Sequence, residues 1–136
     1  MDTAALLQEI YRCYREKRLA DVVELLSDDF KFTAQPPDDL DDAIRPRSRA
    51  ETAILVHKFM DQYDILVFET GPIIVTDDVA SAQANVKFRH KKSGKVLETR
   101  FIHDWRVADG KARELAQHHD LEQLKAFLRS VGDSAA

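Results

Sequence analysis

Cysteine is nearly absent from this sequence: Cys13 is the only one among 136 residues. A single thiol excludes an internal disulfide and any multi-cysteine zinc or iron–sulfur site. Glycine and proline are scarce, four of each, and there is no internal repeat or low-complexity stretch. Apolar runs are short. None approaches the roughly 18 residues of a membrane span, and Met1 to Ala5 lacks the basic start and apolar stretch of a signal peptide, so a soluble, cytoplasmic protein with no membrane partner is expected. Excess positive charge is lacking as well, with 20 Lys and Arg against 24 Asp and Glu and a net charge of −4. Nucleic-acid binders draw much of their affinity from Lys and Arg neutralising phosphates, so no nucleic-acid partner is expected. What is present is 44% hydrophobic residues, enough for one domain over residues 1–136 that buries roughly two thirds of its unfolded surface.

Charge and periodicity divide the chain. Residues 1–68 carry a net −5 and residues 69–136 a net +1. In the first half Ala4, Leu7, Ile10, Tyr11 and Tyr14 recur at helical spacing, with Asp2 or Thr3 as cap, and Asp21 to Ser27 reads as a second short helix. Phe30, Phe32 and Ala34 alternate with polar residues, the period of a half-buried strand. Pro36 to Arg49 holds four Asp, three Arg and three Pro and reads as a long loop, a candidate lid. Ala53, Ile54, Val56, Phe59, Met60 and Tyr63 mark a third helix, with Ser48 and Glu51 spaced as a capping box.

From Asp64 the period becomes two. Ile65 to Phe68 and Ile73 to Val75 are strand-like, with a bend at Gly71-Pro72. Ala80 to Phe88 and Leu97 to Val107 alternate over long stretches, Asp109-Gly110 is a strong hairpin signal, and Lys111 to His119 forms the last strand. Leu121 to Leu128 suggests a short closing helix, with Gly132 just past it. Helices first and strands second give an α+β fold: a curved antiparallel sheet, a cone-shaped barrel, wrapped over three N-terminal helices plus a short C-terminal helix. Such a cone encloses a cavity.

This order, together with Leu25-Leu26-Ser27-Asp28-Asp29-Phe30 and the stretch from Trp105-Arg106-Val107-Ala108-Asp109-Gly110-Lys111 to His118-His119-Asp120, resembles SnoaL-like proteins of the nuclear transport factor two superfamily over about residues 4–129. The superfamily includes ketosteroid isomerase, limonene epoxide hydrolase and SnoaL-type polyketide cyclases. The isomerase's proton-shuttling Asp falls on Ala34, its oxyanion Tyr on Ile10 with Tyr14 one turn later, and its protonated oxyanion Asp, a worked case of pKa tuning, on His103. The Arg and one Asp of the hydrolase triad fall near Ala84 and Val86, so two of its three residues are missing here. The acid at the end of the last strand matches Asp120, the position polyketide cyclases also use. The resemblance implies a homodimer and, for isomerisation, cyclisation or dehydration of a carbonyl-bearing compound, no cofactor.

His103 shares strand parity with Leu97, Phe101, Trp105 and Val107, so its imidazole is either hydrogen-bonded in the core or facing a cavity, where it would polarise a carbonyl or relay a proton. Asp120 is either the N-cap of the closing helix or a general acid/base. Tyr14, Trp105, His118, Phe32 and Phe101 are the candidate contacts for an apolar small-molecule ligand. His118 and His119 are consecutive in a strand and cannot both face one site, and no metal site is expected. His57 and His90 read as solvated or peripheral, Cys13 as a small buried hydrophobe, and the Lys87 to Lys95 hairpin as a solvated edge. The alternative is a non-catalytic dimeric association or scaffold domain whose cone is filled by its own side chains.

Overall fold

The structure, a computed structural model, describes residues 2–34 and 46–131. The expected lid at Pro36 to Arg49 lies largely outside the described residues, as does Gly132. Helix α1 (Thr3–Arg15) is capped by Asp2, whose Oδ1 accepts from the Ala5 backbone N–H at 2.7 Å, and it buries Leu6, Leu7, Ile10, Tyr11 and Cys13. It stops at Lys17, which takes the left-handed turn at φ 60°. Helix α2 (Leu19–Glu24) starts before the expected Asp21 and ends before Leu26, because Leu26 is already the first residue of strand β1 (Leu26–Ala34). Helix α3 (Arg49–Gln62) begins with the expected capping box: Ser48 Oγ accepts from Glu51 N at 3.1 Å and Glu51 Oε1 accepts from Ser48 N at 3.0 Å. Ile54, expected on the inner face of α3, is 70% exposed.

Strands β2 (Tyr63–Thr70), β3 (Ile74–Thr76), β4 (Val79–His90), β5 (Val96–Ala108) and β6 (Lys111–His118) follow, then helix α4 (Leu121–Ser130). The sheet runs β1-β6-β5-β4-β2, with β3 also pairing β4 beyond the Gly71-Pro72 bend. It is mixed rather than antiparallel: β1 runs parallel to β6, Phe32 opposite Leu115 and Ala34 opposite Gln117. The long connection that carries the chain from β1 through α3 and the meander makes this parallel return geometrically available, whereas alternation within β1 cannot reveal direction. The sheet is curved and unclosed, with β1 and β2 as its ends rather than as partners in a barrel.

The inner face is filled by complementary sizes. In the β4–β5 ladder Ala80 lies opposite Trp105, Ala82 opposite His103 and Ala84 opposite Phe101. Each large ring of β5 thus sits beside a methyl group, and cross-strand volume stays constant as packing at crystal-like density requires. Helix α1 closes this face, and Leu7 is wholly buried against it. Replacing Leu7 with Ala is expected to cost about 2–5 kcal/mol, read as a lower urea midpoint at unchanged slope; a loss under about 0.5 kcal/mol would contradict this packing.

Candidate functional site

The inner face of the sheet carries a chain of polar side chains through an apolar interior. Trp105, His103 and Tyr11 are 3%, 4% and 3% exposed. Trp105 Nε1 lies 2.9 Å from Tyr11 Oη, Tyr11 Oη 2.7 Å from His103 Nδ1, and His103 Nε2 2.9 Å from Gln117 Oε1. Its direction follows from counting donors. The indole N–H can only donate, so it gives to Tyr11 Oη. The tyrosine proton must then find an acceptor, and only His103 Nδ1 is in reach. His103 therefore carries its proton on Nε2 and donates it to Gln117 Oε1. No donor is left unpaired along the path. The Gln117 amide N–H groups, at the far end, make no hydrogen bond among the described residues.

Burial, the dominant effect, pushes the His103 pKa down from 6.5 to about 4, with the Gln117 bond opposing it. The imidazole is therefore neutral near pH 7. Burial likewise pushes the Tyr11 hydroxyl up to about 12, and it raises Tyr14 further. The Tyr14 ring packs on Phe68 with centroids 5.0 Å apart. Phe101 lies between two imidazoles, its centroid 5.9 Å from His103 and 6.1 Å from His119.

Of the expected ligand contacts, Trp105 and Phe32 are core residues, whereas Tyr14 and Phe101 stay partly exposed on the inner side. His118 does not share that inner side. It faces the outer surface, where Nε2 lies 3.3 Å from Asp104 Oδ2 and the Asp104 Oδ1 accepts from Ser81 Oγ at 2.8 Å. The cause is a one-residue register shift between Arg106 and Val107. An uninterrupted Asp109-Gly110 hairpin would set Phe101 opposite His118; the extra residue instead sets Ile102 opposite His118 and His103 opposite Gln117. A slip of one residue exchanges the two faces, so Gln117 and His119 turn inward. Tyr11 and Gln117 were missed for this reason and because α1 offers two inward tyrosines. A polar residue at the inward parity of the last strand is the signal that would have found Gln117.

Asp120 is exposed and caps α4, its Oδ1 accepting from Gln123 N at 3.0 Å. Together with His118, His119 and Arg100 it borders an open groove of about 680 Å³ beside β5, where β6 ends; Ile102 and His118 put this groove on the outer side of the sheet, and His103, Gln117, Phe101 and Tyr14 do not line it. His90 proves buried rather than peripheral, its Nδ1 2.8 Å from Ser93 Oγ, while exposed His57 pairs with Asp61. Lysines of the basic hairpin are spent on helix ends, Lys91 on Met60 O and Lys95 on Ser130 O. Buried Cys13 has its thiol pKa raised by burial. No cluster of three or more metal-ligating side chains occurs among the described residues, and no helix among them is long and apolar enough to cross a membrane.

Helices laid on the concave face of a curved mixed sheet, with polar groups gathered at the end of its last strand, define the nuclear transport factor 2-like (NTF2-like) architecture. The SnoaL-like domain family matches residues 7–115, and the chain belongs to it. Among curated proteins none matches. Solved structures do. IdmH of Streptomyces antibioticus, a candidate polyketide cyclase, superposes with a TM-score of 0.80 at 17% identity, covering 95% of this chain and 99% of that one. An NTF2-like protein of unknown function from Burkholderia pseudomallei gives 0.78 at 15%, covering 95% and 97%. AclR of Streptomyces galilaeus, a candidate hydroxylase, gives 0.75 at 18%, covering 93% and 94%. At such identities the likeness is one of fold.

Stability should follow the His103 proton. Its pKa is depressed in the folded state, so the unfolded chain binds the proton first as pH falls; stability is full above about 6.5 and declines until about 4. The loss is on the order of 3 kcal/mol, and His119, also lowered by burial, adds to it with the same sign. Urea titrations at intervals across that window check it, and the slope should flatten in His103→Gln. A pH-independent midpoint in the parent chain would contradict the assignment.

Proposed function

We propose that this chain binds an apolar, carbonyl-bearing small molecule where β6 ends and moves a proton on it. The carrying observation is the directed chain from Trp105 to Gln117, which leaves two amide N–H donors free at its end. Burying the polar groups of Trp105, Tyr11 and His103 costs free energy unless each is paired. A chain paired throughout its buried length and open at its end presents a fixed donor. Gln117 would hydrogen-bond the ligand's oxygen, with His103 as the positioning residue behind it. Phe101 and Tyr14 would supply the apolar wall.

Asp120, three residues beyond Gln117, would serve as general acid/base. Its Oδ1 is committed to the cap while Oδ2 makes no hydrogen bond among the described residues. A carboxylate that takes a proton from carbon beside a carbonyl whose oxygen is held by an amide N–H performs the step common to isomerisation and cyclisation. That needs the chain's own groups and no cofactor. The candidate cyclase among the solved neighbours is compatible with this class. A second reading has its own observation: Tyr11, Phe32, His103 and Trp105 fill the middle of the cone, and Ile102 is exposed on the outer face. A homodimeric scaffold joined through that face fits these facts.

Solvent exchange separates the two readings. In D2O the protein should speed exchange of the methyl protons of 2-acetylnaphthalene, followed by NMR. Asp120→Asn keeps a good N-cap, so it should lose about 100-fold of that rate at unchanged melting temperature. Equal rates in both proteins would remove Asp120 from the role, and no protein-dependent exchange would leave the scaffold.

A further inference from the structure

His119 is the one side chain among the described residues whose buried polar atoms lack partners: both ring nitrogens are buried and neither makes a hydrogen bond. Its neighbours do not explain it. His118 faces the other side of the sheet, and the Asp120 carboxylate is turned to Gln123 N. The ring meets the Phe101 face at 64° with centroids 6.1 Å apart, which satisfies neither nitrogen. A buried polar group without a partner costs about 1–3 kcal/mol and calls for an explanation in a native structure. Residue 119 lies between Phe101 on the inner side and the groove at the end of β6, which Phe101 and Gln117 do not themselves line.

We propose that His119 is a specificity residue that recognises a hydroxyl group on the ligand. This rests on the small-molecule reading above. A neutral imidazole offers one N–H donor and one bare nitrogen acceptor. A carbonyl or an ionised carboxylate can only accept and so would leave the bare nitrogen unpaired, whereas a hydroxyl donates as well as accepts and can pair with either nitrogen. Burial lowers the His119 pKa below 6.5, and His118 nearby adds to this against the opposing Asp120 charge, which keeps the ring in the neutral form that suits a hydroxyl. Phe101 then serves both polar subsites: one face packs near His103, behind Gln117, and the ring also contacts His119. The ligand would be a flat apolar compound with a carbonyl for Gln117 and a hydroxyl for His119.

The test compares 2-acetylnaphthalene with its mono-hydroxylated derivatives by calorimetric titration. The parent protein should bind the best hydroxylated derivative about tenfold or more tightly than the plain ketone. In His119→Phe that preference should vanish while affinity for the plain ketone holds, and the melting temperature should stay level or rise because an unpaired polar group has been removed. His119→Gln, which keeps a donor and an acceptor, should restore part of the preference. A preference that survives in His119→Phe, or that is absent from the parent protein while the ketone binds, overturns the assignment to His119 alone. If none of these compounds binds, the small-molecule reading falls and this inference falls with it.

Discussion

The fold hangs on a requirement of pairing: the indole of Trp105, once buried, must give its proton to something. Tyr11 on α1 receives it, His103 on β5 receives the tyrosine proton, and Gln117 on β6 receives the last. Helix α1 and the β5–β6 hairpin, far apart in sequence, are thereby held in one relative position by directional bonds, where apolar packing alone would tolerate sliding. The alanines of β4 opposite Trp105, His103 and Phe101 leave the room these rings need. Breaking the chain at Tyr11 would strand both a donor and an acceptor.

Burial sets the protonation of the interior. Buried among apolar rings, His103 is held neutral well below its usual range against the opposing effect of the Gln117 bond. It therefore acts by holding Gln117 and Tyr11 in place, not by exchanging protons at neutral pH. Under the proposed reaction the proton would move at the end of β6, where Asp120 is exposed to solvent. One end of the strand would then carry a fixed amide donor and an exposed carboxylate, the division of labour that proton transfer at carbon demands.

Much of this was legible beforehand, and the misses have physical causes. The capping box at Ser48, the bend at Gly71-Pro72, the alternation of β4 and the inward parity of His103 all appear as expected, since each depends only on local periodicity or turn chemistry. The N-cap reading of Asp120 is realised in the structure. Strand direction in β1 was not legible, because parallel and antiparallel strands alternate alike. Nor was the extra residue near Arg106 and Val107, which carries no glycine or proline to announce it and which turns His118 outward and Gln117 and His119 inward. The exposure of Ile54 likewise depends on what α3 meets, not on its spacing.

The central claim is that His103 is a neutral link with its proton on Nε2. Long-range proton–nitrogen NMR of the imidazole tests it most directly. The account predicts a protonated Nε2 and a bare Nδ1, unchanged from pH 8 down to about 5. A proton on Nδ1, or titration near 6.5 in the folded protein, would contradict it.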